Sequence, residues 1–309
     1  MNRKAVGIAL QASAWLLCVS PGSGLLPTSA AAAECGSAVR LHLSADQATQ
    51  GSLLLAEVTT ASGFTAVEGD WDGRKIEFWK AGTATGQSGA GSRSLVGIDL
   101  EKPPGDYKVT VEARKANGEK AICTATVTVK QGRFATERLQ VGKQFVEPDP
   151  QQVQRAEDER TRLREIYRMV SPQPLWKGKF RRPLDSVSTG GNFGKRRVLN
   201  GKAGSPHGGV DFPAITGTPV HAAQAGKVVL ADNLFFSGNT VVVDHGLGIY
   251  TFYCHFSAIS VKVGEEVEAG TILGKVGATG RVTGPHLHWA LSVDRERVNP
   301  LEIVRLLGK

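Results

Sequence analysis

Glycines and turn dipeptides interrupt this chain so often that no long helix can run through most of it. Of its 309 residues, 37 are glycine, and each glycine inside a helix costs about 1 kcal/mol relative to alanine. Between the breaks lie short runs rich in β-branched and aromatic residues. That pattern predicts short strands joined by tight turns, and hence a mostly β protein. A hydrophobic fraction of 41% with 21% charged residues suits packed globular structure and excludes wholesale disorder. The length suggests about two domains.

The N-terminus reads as a processing signal. Asn2-Arg3-Lys4 opens with positive charge, a mostly apolar stretch runs from Ala5 to Val19, and Ala30-Ala31-Ala32-Ala33 supplies small residues ahead of Glu34. This is the layout of a secretory signal peptide spanning residues 1–33, with a buried first helix as the competing reading. Bulky Leu16-Leu17 argue against lipid attachment at Cys18. No later stretch has the roughly 18 apolar residues a membrane span needs. The expectation is an exported protein of the periplasm or cell envelope, or a secreted one, with no stable membrane span once the signal is removed. Its net charge of +8 invites a nucleic-acid reading. No recognised binding motif supports it, so no nucleic acid is expected. Oligomeric state is not legible.

In an oxidising compartment Cys35 and Cys123, which bracket strand-like sequence, form a natural disulfide pair. Cys254 is left over in Tyr250-Thr251-Phe252-Tyr253-Cys254-His255-Phe256. Strand alternation there points it away from His255 and predicts a buried apolar thiol, against a nucleophile or ligand.

Residues 34–130 hold about seven strand-like runs, among them Val39 to Leu43, Leu53 to Val58, Lys75 to Trp79, Leu95 to Leu100, Tyr107 to Ala113 and Ala121 to Val129. Asp72-Gly73, Pro103-Pro104-Gly105 and Asn117-Gly118 separate them. The spacing predicts an immunoglobulin-like β-sandwich. Nothing in it looks catalytic, and His42 reads as structural. Residues 131–174 read as a linker. It begins as an extended connector and continues as a helix that Asp149 caps, Pro150 starts and Gln152 completes as a capping box. Leu163, Ile166, Tyr167 and Val170 make its apolar stripe, and its heavy charge predicts that it lies across a surface. Residues 175–309 form the remaining unit. Val228 to Leu230, Thr240 to Asp244, Ile249 to Phe256, Val261 to Val263, Ile272 to Val276 and His286 to Val293 predict an antiparallel, mostly β domain without sustained helical period.

Six of the seven histidines fall within residues 207–288. In His207-Gly208-Gly209-Val210-Asp211 two glycines and a valine disfavour a helix, so His207 and Asp211 project to one side of a strand or turn. In His286-Leu287-His288-Trp289 both imidazoles share a strand face, so one can bind a metal while the other stands beside it. His255 follows a glycine-rich turn near Gly246 and Gly248. Two histidines and a carboxylate are a catalytic zinc set, which leaves a fourth position for water. A structural site would more often use four ligands, often cysteines.

At these residues the chain resembles the lysostaphin-type zinc metalloendopeptidases. The resemblance is carried by Phe193-Gly194-Lys195-Arg196-Arg197, His207-Gly208-Gly209-Val210-Asp211-Phe212, Gly217-Thr218-Pro219-Val220, Val243-Asp244-His245-Gly246, Tyr253-Cys254-His255-Phe256, and Gly277-Ala278-Thr279-Gly280 leading into Gly284-Pro285-His286-Leu287-His288-Trp289. These follow in order across roughly residues 190–301. The sandwich resembles, on pattern, the one found ahead of some secreted members. The resemblance implies hydrolysis of peptide cross-links in bacterial peptidoglycan, with one Zn²⁺ per chain and an activated water. It implies His207, Asp211 and His288 as zinc ligands, His286 as the catalytic histidine that takes a proton from water, and His255 as the second catalytic histidine, stabilising the oxyanion. The family commonly has leucine where Phe256 stands, a departure that bears on packing. The alternative is a non-catalytic wall-binding regulator of other wall hydrolases, but such relatives typically lose metal ligands. Glycine-bridge and D-alanyl–diaminopimelate bonds both fit.

The remaining features take plainer readings. His245 reads as structural, with substrate contact as the alternative, and His221 as an exposed strand residue. The basic run from Lys177 to Lys202 reads as a solvated surface, or as a long-range attraction for wall carboxylates. Asn200 reads as a turn residue. Access to the groove restrained by the sandwich or the linker helix is a further expectation.

Overall fold

The computed structural model describes residues 33–80, 91–184 and 191–308, so the expected signal segment lies, but for Ala33, outside the described residues. The architecture is mostly β. The described part of residues 33–130 forms two sheets packed face to face, antiparallel except where Gln47–Thr49 pairs in parallel with Lys120–Lys130. One runs in the order Ala33–Cys35, Lys120–Lys130, Gly105–Lys115, Phe64–Trp71, Arg74–Ile76, with Gln47–Thr49 alongside Lys120–Lys130. The other is Val39–Leu43, Leu53–Thr60, Ser92–Gly97, Trp79–Lys80. Alternation does the sorting: Val39, Leu41 and Leu43 are buried while Arg40 and His42 face out. Cys35 and Cys123 are neighbours across paired strands and form a disulfide.

The second sheet is buried on both faces. Leu54, Ala56 and Val96 fill the sandwich core. Leu53, Leu95 and Trp79 instead join the core of the C-terminal half, where Trp79 meets Trp176 edge-on at 5.3 Å. The continuous run Leu53-Leu54-Leu55 is what a doubly covered strand requires. A polar latch closes the same seam. Arg297 donates to Asp99 at 2.7 and 3.1 Å and to Glu101 at 2.7 Å. Its carbonyl accepts from Leu100 N at 3.1 Å, and Asn299 N donates to Gly51 O at 2.8 Å.

The linker departs from a plain extended connector. Thr136–Leu139 pairs in parallel with Arg196–Leu199, which pairs in turn with Lys202–Ala203. After a short 3-10 turn at Lys143–Phe145, Phe145 packs on Phe235 and Phe236, with centroids 5.4 and 6.4 Å away. Pairing across some sixty residues leaves no local trace in a stretch this polar. The helix Pro150–Arg168 starts as expected. Asp149 accepts from Gln152 N at 2.8 Å, and Gln152 Oε1 accepts from Asp149 N at 3.1 Å. It lies across a surface, with Ile166, Leu163 and Tyr167 packed on Leu230, Leu234, Val242 and Tyr250, while Val170 is exposed. Arg162 pairs with Asp232 at 2.6 Å, and Glu159 accepts from Phe235 N at 2.8 Å.

The C-terminal sheet runs Gly209–Pro213, His286–Val293, Ile249–Ile259, Gly238–Asp244, Gly226–Leu234, Glu266–Val267. Ile272–Val276 joins at Ile249–Ile259 and carries Pro219–His221, and Glu296–Val298 follows His286–Val293. All these pairs are antiparallel. Val261 to Val263 is loop rather than strand. The helix Pro300–Leu307, absent from the sequence reading, had a short local signal: Asn299 accepts from Leu301 N at 3.1 Å, and Pro300 sits at the first turn. No helix among the described residues is long and apolar enough to cross a membrane.

Candidate metal centre

The site is built on adjacent strands. Gly209–Pro213 pairs with His286–Val293 so that Asp211 stands opposite His288. His288 also stands opposite Cys254 on its other side. Residues opposite one another present side chains to one face, and the two-residue spacing of His286 and His288 puts both on it. His207 enters from the loop before the strand and is buried. Gly209 makes the approach possible, because a Cβ there would stand 2.5 Å from Trp289 O and 2.7 Å from His288 Nε2.

His207, Asp211 and His288 offer ligand atoms within 4.8 Å of one another. Asp211 Oδ1 is 3.1 Å from His207 Nε2 and 2.9 Å from His288 Nδ1, and the two nitrogens are 2.8 Å apart. The surroundings decide which atoms face inward. His207 Nδ1 donates to the carbonyl of Asn192 at 2.9 Å, which leaves the Nε2 lone pair for the site. Asp211 Oδ2 accepts from Asn192 Nδ2 at 2.7 Å and Arg197 Nη2 at 3.1 Å, which leaves Oδ1 inward. Asn192 Oδ1 also accepts from Asp211 N at 3.0 Å. A lone pair, a carboxylate oxygen and a second imidazole nitrogen this close can hold a cation among them, and two nitrogens with one oxygen suit zinc. The outer contacts to Asn192 and Arg197 are of the kind that orient metal ligands.

Burial alone would raise the Asp211 carboxyl. The contacts from His207 and His288 outweigh it and hold the group well below the usual carboxylate range, so it is ionised. Burial pushes His288 down to about 4, which keeps the ring neutral as a ligand must be.

Two further histidines flank the cluster. His286 Nε2 is 3.7 Å from Asp211 Oδ1, and its Nδ1 donates to Gly284 O at 2.8 Å. His255 has ring centroids 4.8 Å from His286 and 6.1 Å from His288. Its Nδ1 donates to Thr279 O at 2.8 Å. Burial, then the neighbouring imidazoles, push it down to about 3.

Strand alternation does not hold here. His255 has φ +67°, and the register slips between Asn239 and Val241 on the facing strand. A non-glycine residue in that conformation carries local strand strain. The result puts Cys254 and His255 on the same depression, with His207 and His288, rather than on opposite faces. Cys254 is nonetheless buried, and burial raises its thiol well above its usual value, in keeping with an inert thiol.

The groove holds a cavity of about 260 Å³. Its floor is Asp211, His255 and His286. One wall is Glu137, Leu139 and Val141 of the linker. Sequence reading missed Asn192, Arg281 and this wall. Asn192 lies one residue before the quoted Phe193-Gly194 motif, and Arg281 lies in the glycine-rich lead into His286; a polar residue at a motif's edge was the available signal. His245 is fully buried, bonded to Ala225 O at 2.8 Å and Thr251 Oγ1 at 2.7 Å, and so holds structure. His221 is half-buried and bonds Gly270 O at 2.8 Å. Asn200 sits in a turn at φ +49° and also clamps Val141 through its N and O, both at 2.9 Å.

An antiparallel β domain with a His/Asp/His cluster and two further histidines in a groove defines a class of metal-dependent hydrolase folds. Residues 205–300 match Peptidase family M23. A crystal structure of a peptidase M23 protein from Pseudomonas aeruginosa is 31% identical, with a TM-score of 0.63, covering 83% of this chain and 94% of that one. The chain belongs to peptidase family M23. It is 44% identical over 124 residues to the peptidoglycan DD-endopeptidase ShyA of Vibrio cholerae, covering 40% of this chain and 29% of that protein. It is 40% identical over 97 residues to the DD-carboxypeptidase/endopeptidase Mpg of Neisseria meningitidis, covering 31% of this chain and 22% of that protein. The chain thus spans less than a third of the length of these curated relatives.

Proposed function

We propose that this protein is an exported zinc endopeptidase that hydrolyses peptide cross-links of bacterial peptidoglycan, with residues 175–309 as its catalytic unit, 34–130 as the sandwich and 131–174 as the linker. The observation that carries the reading is the convergence of His207 Nε2, Asp211 Oδ1 and His288 Nδ1 beside His255 and His286. The peptidoglycan endopeptidases among the relatives support the substrate class. One Zn²⁺ would be held by His207, Asp211 and His288, and would supply acidification of water towards a pKa of about 7 and polarisation of the scissile carbonyl.

The remaining work falls to the chain. His286 ties Nδ1–H to Gly284 O, so its Nε2 lone pair is free to accept a proton from the attacking water. His255 hydrogen-bonds the oxygen that gains charge. Its Nδ1–H is committed to Thr279 O, so donating from Nε2 requires the ring to take up a second proton, which burial opposes and the developing negative charge favours.

The test is digestion of purified peptidoglycan with and without a chelator, with products identified by mass spectrometry. The expected result is new amine and carboxylate ends at cross-links, abolished by chelation and restored by zinc. Hydrolysis indifferent to the chelator overturns the metal assignment. Intact cross-links with the zinc-loaded protein overturn the enzyme and leave the wall-binding regulator.

A further inference from the structure

Two arginines stand over the groove, and their circumstances differ. Arg197 is committed: Nη2 donates to Asp211 Oδ2 at 3.1 Å, and Nε lies 3.6 Å from Glu137 Oε2. Arg281 is not. Its guanidinium lies over the Phe236 ring at 4.6 Å, and its backbone N donates to Phe236 O at 2.8 Å. Among the described residues no carboxylate pairs with it, although it is half-buried. Both arginines border the cavity above Asp211 and His286 and the depression beside His207 and His288. Arg197 Nε is also buried without a hydrogen-bond partner among the described residues.

Holding a cation half-buried, near another cation and without an anion, is unfavourable. Burial, then the charge of Arg197, lower the Arg281 pKa accordingly. Phe236 fixes the plane of the fork, so little side-chain freedom remains to be lost when an anion arrives. An arginine fork held this way matches a planar carboxylate with two parallel bonds. The groove therefore has an unfilled demand for one negative group close to the reacting centre.

The two bonds that fit the proposed function differ in just this respect. In a D-alanyl–diaminopimelate cross-link the scissile nitrogen sits on a carbon bearing a free carboxylate. In a glycine bridge the corresponding carbon bears only hydrogens and the next amide. We propose that Arg281, backed by Arg197, is a specificity-determining residue that binds the free carboxylate beside the scissile nitrogen, and so selects the D-alanyl–diaminopimelate type of cross-link. This rests on the peptidoglycan reading above. Arg281 lies in the loop leading into the strand that begins at His286, and both line the same cavity, so a carboxylate bound at Arg281 would set the neighbouring amide on the side of the groove that holds that imidazole.

The test uses full-length, zinc-loaded protein and two cross-linked muropeptide dimers, identical but for amidation of that one carboxylate. Hydrolysis is followed for wild type, Arg281→Gln and Arg281→Lys. Binding of the same dimers is measured by calorimetry on His286→Ala, with and without Arg281→Gln. Wild type is expected to prefer the free carboxylate by about tenfold or more in kcat/KM. Arg281→Gln should lose that preference, mainly through KM, with its zinc content unchanged. Arg281→Lys should recover part of it, and this also covers a Gln variant that fails to fold. Equal affinity of the two dimers for His286→Ala, or an equal loss on both substrates in Arg281→Gln, overturns the assignment. Absence of hydrolysis by wild type, with the binding preference intact, would instead strike the enzyme reading and leave the carboxylate site standing.

Discussion

His286 and His288 differ by two positions and by task. His288 shares Asp211 Oδ1 with His207, while His286 stands 3.7 Å off it. Replacing His288 by Ala should therefore remove zinc and activity together. His286→Ala should keep zinc near one per chain while turnover falls by about 10²–10⁴. Elemental analysis beside a rate decides it, and zinc loss in His286→Ala alone would reverse the two roles. Asp294 offers a test of stability away from the groove. It occupies a turn at φ +49°, and burial, then the charge of Glu77, raise its carboxyl to about 7, with Glu296 adding to the rise and Arg295 and Arg74 opposing it. A carboxyl raised on folding adds stability that is complete below its unfolded value near pH 4 and is lost as pH climbs through about 7. Asp294→Asn keeps the shape and tolerates the positive φ. It should be more stable than wild type at pH 8, by about 1–3 kcal/mol, with the gap closing towards pH 4. Denaturant unfolding at the two pH values reads this directly, and a gap that does not change with pH would refute it.

At the scale of elements, the linker strand Thr136–Leu139 is the informative one. It is a wall of the groove and no longer a tether, held by Glu137 on Lys195 at 3.0 Å and by Asn200 on Val141. The two Asn200 bonds are part-buried, so losing both should cost on the order of 1–2 kcal/mol locally. Asn200→Gly retains the turn, which needs positive φ, and removes the clamp. Amide exchange at residues 139–143 should then quicken by about tenfold, while exchange in Ile249–Ile259 stays unchanged. Unchanged exchange at Val141 would show that the strand pairing alone holds the wall.

At the scale of the molecule, the two halves share a core. Leu53, Leu95 and Trp79 lie with Trp176 and the C-terminal half, and Asp99 holds Arg297. A fragment of residues 175–309 would expose that apolar seam. It should show a Tm lower by several degrees than the full chain and a tendency to associate, read by thermal unfolding and light scattering. A fragment as stable and monomeric as the full chain would contradict this. Loss of activity in such a fragment is therefore what packing predicts, before any targeting or restraining role of the sandwich is considered.

The mostly β class was legible because alternation and glycine spacing act over a few residues. So were His207 with Asp211 and His286 with His288, since each pair sits within five residues on one stretch of backbone. The helix cap at Asp149 was local too. What lay beyond the sequence depended on pairing over long separations. The parallel match of Thr136–Leu139 to Arg196–Leu199 made a linker into a groove wall. The positive φ at His255 put Cys254 and His255 on one side, where period-two reading placed them apart. Asn192 and Arg281 acquire meaning only beside Asp211 and Phe236, each brought there by a loop. Local periodicity specifies which way a side chain faces along its own strand. Which distant groups share that face is settled only when the sheets close and the core excludes water.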